Sequence, residues 1–202
     1  MFALVESGSI TKMMNGNKGI KIGDNQYPAS FFTSVYSEAE RNAVGVYTIE
    51  IDTTNKKDEE YYTNTDITYT FGSGKVTGSY GTATAKDIAD SDAVDKDGNK
   101  LKDENGKQII NEGLKTIKKR IIDNQCAGLL APSDWMATKA FEEGGDVESG
   151  WKTWRASVRT KCNSMQTQID NAADVDALAA LFTYTTTDGV TSRPLGEFPV
   201  KE

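Results

Sequence analysis

Aromatic residues are sorted along this chain, and the sorting limits what it can fold into. Seven of the eight tyrosines precede residue 81, whereas all three tryptophans, Trp135, Trp151 and Trp154, fall between residues 135 and 154. The front is rich in Thr, Tyr and Gly, which suit strands and tight turns. The back is rich in Ala and in apolar residues at helical spacing, which suit amphipathic helices. Charge follows the same division. Residues 1–106 carry 11 basic and 17 acidic side chains, and residues 107–182 carry ten of each. One polypeptide with two such halves predicts an α+β protein: a small N-terminal antiparallel β module with one short helix, then a C-terminal helical region with one long helix. Leu, Ile, Val and Phe make up only 39 of 202 residues, so the core must be thin and the connections long and polar.

In the front, the apolar run at 1–5 and the segment 10–12 flank Ser7, Gly8 and Ser9, as the arms of a hairpin would. Residues 15–24, interrupted by Gly16, Gly19 and Gly23, read as loop with at most one short strand. Ser37-Glu38-Ala39-Glu40 is a capping box that opens a short helix, with Gly45 placed for its left-handed end. Residues 46–51 alternate as a strand. Ile67 to Phe71, Gly72-Ser73-Gly74 and Lys75-Val76-Thr77 form a second hairpin. These elements define a β-rich module over 1–84.

Residues 85–108 read as an acidic linker or a projecting hairpin. They contain an echo eight residues apart, Asp97-Gly98-Asn99-Lys100-Leu101 and Asn105-Gly106-Lys107-Gln108-Ile109, and both dipeptides favour tight turns. A helical domain follows over 109–182. Its first helix carries Leu114, Ile117, Ile121 and Gln125 on one face, with Lys115, Lys118, Lys119 and Arg120 on the other. Pro132 ends it, Ser133 or Asp134 caps a second helix, and Gly144-Gly145 breaks that one. A long helix over about 147–170 presents Trp151, Trp154, Arg155, Val158, Cys162 and Met165 on one face. Asn171 is placed to cap a last helix through Phe182. Residues 183–202, with Pro194 and Pro199, read as an extended tail.

The absence of histidine excludes His-based triads, His-activated cysteines and His-ligated metals. A net charge of −7 argues against nucleic acid, whose binding depends on Lys and Arg at phosphates. No run approaches the ~20 apolar residues of a membrane span, and the N-terminus lacks the pattern of a signal peptide. Cys126 and Cys162 suggest no disulfide framework. Asp95, Asp97, Gly98 and Glu104 resemble part of a calcium loop, but Ala93 occupies the first ligand position. The acidic runs 58–60 and 142–143 lie beside no recognisable nucleophile or phosphate cradle, so they read as solvated faces. No enzyme, cofactor or metal is therefore expected. The sharpest cluster is Trp151, Trp154, Arg155 and Arg159, residue types that dominate interface hot spots and also pin helices into small cores.

Four short motifs occur in order. The N-terminal Met1-Phe2-Ala3-Leu4-Val5 leads to Tyr27-Pro28 and Gly45-Val46-Tyr47. Leu130-Ala131-Pro132-Ser133-Asp134-Trp135 follows, then Trp151-Lys152-Thr153-Trp154-Arg155-Ala156-Ser157-Val158-Arg159, and finally Phe198-Pro199-Val200. Together they resemble a family of bacteriophage tail proteins found with tail fibres and described as tail-fibre assembly proteins. Trp154 stands where that family usually has Tyr, and residues 85–112 match none of its motifs. The resemblance implies a non-enzymatic protein that binds the tail fibre or baseplate, as a lasting virion connector or as an assembly chaperone. It also implies a homo-oligomer in a symmetric tail assembly, located in the virion tail and assembled in the host cytoplasm. A neck or capsid accessory protein or another interaction module is the alternative, and an enzyme that uses carboxylates such as Asp58 or Glu60 is the third reading. The residues assigned to partner contact are Trp135, Trp151, Trp154, Arg155, Arg159 and Phe198.

Overall fold

The computed structural model describes residues 1–201 and is α+β. The chain divides into two compact units, Met1–Thr84 and Ala85–Glu202.

Unit 1 is built on a five-stranded sheet. Strands β1 (Phe2–Glu6) and β2 (Ser9–Met14) form the first hairpin, turning through Ser7 (φ 51°) and Gly8 (φ 78°). Two short strands, β3 (Ile20–Ile22) and β4 (Asn25–Tyr27), pair around Gly23. The loop expected over residues 15–24 thus holds one arm of a second small hairpin. Glycine spacing alone does not reveal this hairpin, because each arm is only three residues long. Helix α1 (Glu38–Ala43) starts at the expected capping box. The Ser37 amide donates to Glu40 Oε2 at 2.7 Å, and the Glu40 amide donates to Ser37 Oγ at 3.3 Å. Gly45 follows at φ 82°, and a Cβ there would lie 2.6 Å from the Val5 carbonyl oxygen. Strands β5 (Val46–Asp52), β6 (Ile67–Gly72) and β7 (Lys75–Tyr80) complete the sheet in the order β2-β1-β5-β7-β6. The β5–β7 pair is parallel, so the module is mixed where an antiparallel one was expected. Parallel pairing follows because residues 53–66 stay at the end of the sheet where β5 finishes, β6 runs back, and the second arm of that hairpin, β7, takes the place beside β5.

The outer strands β2 and β6 also lie against each other, which curls the sheet. Ala3, Ile49 and Val76 fill the inside of the curl with Ile10, Tyr47 and Phe71 around them. The opposite face of β1 and β5 carries a second cluster, in which Leu4 and Val46 meet Phe31, Phe32 and Ile20. The Phe31 ring lies 4.5 Å from Tyr27 and 5.0 Å from Tyr36, centroid to centroid. Strand alternation feeds both clusters, since successive side chains of β1 point to opposite faces.

Unit 2 begins with turns rather than helices. Strands β8 (Ser91–Asp92) and β9 (Ile110–Asn111) close a loop in which the eight-residue echo becomes two equivalent turns. Asp95 Oδ1 accepts the amides of Asp97 and Asn99, both at 2.9 Å. Asp103 Oδ1 accepts those of Asn105 and Lys107 at the same distance. The backbones of Ala93, Leu101 and Ile109 then bond in a ring: Leu101 N–H to Ala93, Ile109 N–H to Leu101, and Ala93 N–H to Ile109, at 2.8–2.9 Å. Residues 85–108 are therefore an ordered turn module. Asp90 ties it to the next element, accepting the Gly113 amide at 2.7 Å and the Thr116 hydroxyl at 3.0 Å.

Helices α2 (Leu114–Leu130) and α4 (Ser149–Asn171) pack together, with α3 (Asp134–Glu142) between them in sequence and α5 (Val175–Phe182) against α4. The buried face of α2 differs from the expected one. It runs Leu114, Lys118, Ile122, Cys126, while Ile121 is exposed. Lys118 can replace an apolar residue because its stem packs inside and its Nζ lies 4.5 Å from the centre of the Phe182 ring. On α4 the buried residues are Arg155, Val158, Cys162, Met165 and Ile169. The cap of α5 is Asp174, which accepts the Ala177 amide at 2.8 Å, rather than Asn171. Asn171 instead completes the last turn of α4, three residues too early. The tail is not extended throughout: β10 (Thr185–Thr187) and β11 (Val190–Ser192) form a hairpin around Gly189 (φ 77°), whose Asp-Gly turn overrides the extended reading.

Candidate functional site

The candidate site lies where α2 gives way to α3 and α3 to α4. Pro132 closes α2 through a tight turn over Ala131–Ser133. Arg155, reaching across from α4, holds that turn. Its Nη1 donates to the Leu130 carbonyl at 2.8 Å and to Ser133 Oγ, and its Nη2 meets Asp134 Oδ1 at 2.6 Å. Ser133 is fully buried and its hydroxyl donates to the same Leu130 carbonyl at 2.9 Å. This network satisfies polar groups that would otherwise be stranded at the end of a buried helix. It also fixes the direction in which α3 leaves.

Helix α3 then projects Trp135 (58% exposed) and Phe141 (87% exposed) outward. Gly144 (φ 68°) and Gly145 reverse the chain. Glu148 starts α4 by accepting the amides of Gly150 at 2.9 Å and Trp151 at 3.3 Å, and these bonds hold its carboxyl below the ordinary glutamate value. The two helices enclose a groove of about 350 Å³. Trp135, Met136, Ala140, Val147 and Trp151 supply its apolar lining, and Lys139, Glu143, Asp146 and Glu148 are its charged residues. Across 134–148 there are five acidic side chains and one basic one. Asp146 pairs with Lys152 at 3.0 Å and Glu143 with Lys139 at 3.9 Å, all exposed.

Beside the groove, Trp151 and Trp154 meet edge to face at 5.6 Å and 89°. The Trp154 indole N–H donates to the Pro199 carbonyl at 3.0 Å, and Lys161 Nζ donates to the Leu195 carbonyl at 2.9 Å. Leu195 is fully buried, so the C-terminal segment is strapped along α4. Lys201 Nζ lies 5.2 Å from the centre of the Trp151 ring.

The six residues singled out in the sequence do not converge. Trp135 and Trp151 line the groove. Trp154 holds the tail, and Phe198, half-buried, faces Gln125, Leu129 and Tyr184 elsewhere. Arg155 is only 6% exposed and has its donors committed inside the unit. Arg159 is exposed and lies outside the groove. Met136, Phe141 and Asp146 escaped the sequence reading, which took Glu143 for part of a solvated face. Their one available signal was the local excess of acidic residues after Trp135.

Cys126 and Cys162 are buried, free and adjacent at the α2–α4 contact. Burial, then the neighbouring Cys126 thiol, pushes the Cys162 thiol up to about 11, which makes it a packing residue with little thiolate character. The acids at 58–60 are exposed, and Asp58 Oδ1 accepts the Glu60 amide at 2.8 Å. The Asp95 carboxylate faces N–H donors on both oxygens. Among the described residues no group of three or more His, Cys, Asp or Glu side chains could hold a metal ion, and no helix is long and apolar enough to cross a membrane.

No protein-family model, curated protein or solved structure matches this chain.

Proposed function

We propose that the chain is a non-enzymatic bacteriophage tail protein that docks onto the tail fibre or baseplate, as a virion connector or as a chaperone of fibre assembly. The observation that carries the docking part is the α3–α4 end, where the exposed Trp135 lines a groove and Phe141, on the same helix, stands in solvent. Large exposed aromatics at one spot mark interaction surfaces more often than they mark anything else. Support for the viral part is the ordered set of motifs from Met1 to Val200. In this reading Trp135, Phe141 and Trp151 meet the partner, Trp154 and Phe198 hold the tail in place, and Arg155 positions α3 from below. The protein acts in the virion tail, in several copies around a symmetric assembly.

Co-expression with the fibre protein encoded beside it tests the reading. Affinity capture should recover a defined complex, and Trp135→Ala with Phe141→Ala should abolish it. Mass spectrometry of purified particles then separates a connector, present at fixed stoichiometry, from a chaperone, absent. A fibre that trimerises equally well alone and never co-purifies would end the proposal.

A further inference from the structure

We infer that Cys126 and Cys162 are a latent disulfide, a pair of thiols that closes into a reversible staple between α2 and α4 in oxidising surroundings. The inference concerns the core of unit 2 and does not depend on the docking reading. Both cysteines lie on the buried faces of two helices packed against each other, and both are free. Cys162 Sγ lies 3.7 Å from Asp123 Oδ1, the oxygen to which Gln166 Nε2 also donates. Asp123 and Cys126 stand at i and i+3 and so are neighbours on the surface of α2. A helical side chain leans back over the turn before its own Cα, so the Cys126 thiol covers the turn of α2 that Cys162 touches. Cys126 also acts on Cys162 directly: after burial, its thiol is the next influence that pushes the Cys162 thiol up. Ile122, Val158 and Met165, inward residues one turn away on the same faces, are fully buried. The two sulfurs therefore share close-packed surroundings with little room to turn apart.

The oxidant is a small organic disulfide, and the step balances with it alone. The thiolate of one cysteine attacks that disulfide, forms a mixed disulfide and releases one small thiol. The other cysteine attacks the protein-side sulfur, closes the Cys126–Cys162 bond and releases the second small thiol. Two protein thiols are oxidised, one external disulfide is reduced, and the two protons leave on the small thiols. Thiolate is the reacting form, and burial keeps it scarce at Cys162, so exchange is slow near neutral pH. A reducing compartment preserves packed thiols, whereas an oxidising one closes the bond. Closure makes a loop of residues 126–162, which contains α3 and all three tryptophans. Such a loop restricts the unfolded chain and thereby stabilises the folded one.

The probe is hydroxyethyl disulfide, incubated with the reduced full-length protein at about pH 8.5, where thiolate is more abundant. Intact mass should fall by about 2 Da, both free thiols should disappear on titration, and no dimer should appear on a non-reducing gel. Dithiothreitol should restore both thiols. Thermal melting followed by tryptophan fluorescence should rise by at least about 5 °C in the oxidised protein and return on reduction. Cys126→Ala and Cys162→Ser, treated alike, should show neither the mass loss nor the melting shift, and either variant suffices if the other does not fold. A protein that keeps both thiols, carries a hydroxyethyl adduct on each cysteine, or joins two copies through them would overturn the inference. So would a bond that forms without raising the melting temperature, since a strained bridge staples nothing.

Discussion

The two units use their aromatic residues in opposite ways. In unit 1, Phe31, Phe32, Tyr47 and Phe71 are inside, packed on one face or the other of a curled sheet. In unit 2 the core is aliphatic and sulfur-rich, with Ile122, Met165, Ile169 and Leu178 fully buried beside Cys126 and Cys162. Two cations, Lys118 and Arg155, are buried with them, while Trp135 and Phe141 stay outside. A sheet with two covered faces gives its aromatic rings at least partial cover. A hairpin of helices with one seam cannot, and the residues left at its end become available to something else. Burial of aromatics in unit 1 therefore reports on stability, whereas their exposure in unit 2 leaves them available for the docking proposed above.

Removing Phe31 tests the first half most severely. Phe31→Ala should destabilise by about 3–5 kcal/mol, the usual cost of emptying an aromatic site in a core. Because seven of eight tyrosines lie in unit 1 and every tryptophan in unit 2, urea unfolding followed by tyrosine near-ultraviolet signals should move, while tryptophan fluorescence should not. A coincident shift of both would mean that the units unfold as one, and the contrast between them would lose its energetic meaning.

Arg155→Ala comes next. It takes one donor from the Leu130 carbonyl and the donor from Ser133 Oγ, which keep only their bond to each other, and it frees an Asp134 carboxylate that is largely solvated already. The loss should be about 2–3 kcal/mol, confined to the tryptophan-detected transition. Arg159→Ala, on the exposed side of the same helix, should change stability by less than about 0.5 kcal/mol. Equal effects from the two would contradict the network built around the α2–α3 turn.

A smaller effect is expected from acid. Asp90 is held below its ordinary value of 3.8 by the Gly113 amide and then the Thr116 hydroxyl. Glu40 is held below 4.5 by the Ser37 hydroxyl and amide. Both are depressed in the folded state, so each contributes stability that is complete above its unfolded value and is lost as pH falls through the folded one. Thermal melting should fall below about pH 4.5, and Asp90→Asn should flatten that fall for unit 2 alone. An unchanged acid limb in the variant would remove Asp90 from the account. Smallest of all, Trp135→Ala should shift melting by no more than a surface change does, about 0.5 kcal/mol or less, while removing partner capture.

Much of this architecture was legible in the residues. The capping box at Ser37, the Gly8 and Gly74 turns, the Pro132 stop and the Gly144-Gly145 break are local instructions, and each depends on a backbone preference a single residue carries. The site was legible only in part. Trp135 and Trp151, singled out by type, line one groove, but Arg155 was placed in the same group although its guanidinium is spent on Leu130, Ser133 and Asp134. Residue type says that Arg can bind a partner; it does not say which acceptors are nearer.

What the residues alone determined, then, is the main strands and helices and several of their ends, because capping, turn chemistry and hydrophobic period act over a few positions. Only tertiary structure decided which face of α2 is buried, how β2 meets β6 across the curled sheet, and which aromatics remain in solvent. Those outcomes depend on contacts between positions far apart in the chain, such as Lys118 with Phe182 and Trp154 with Pro199. Competition among such contacts is settled by the geometry of the whole unit, which no local pattern encodes.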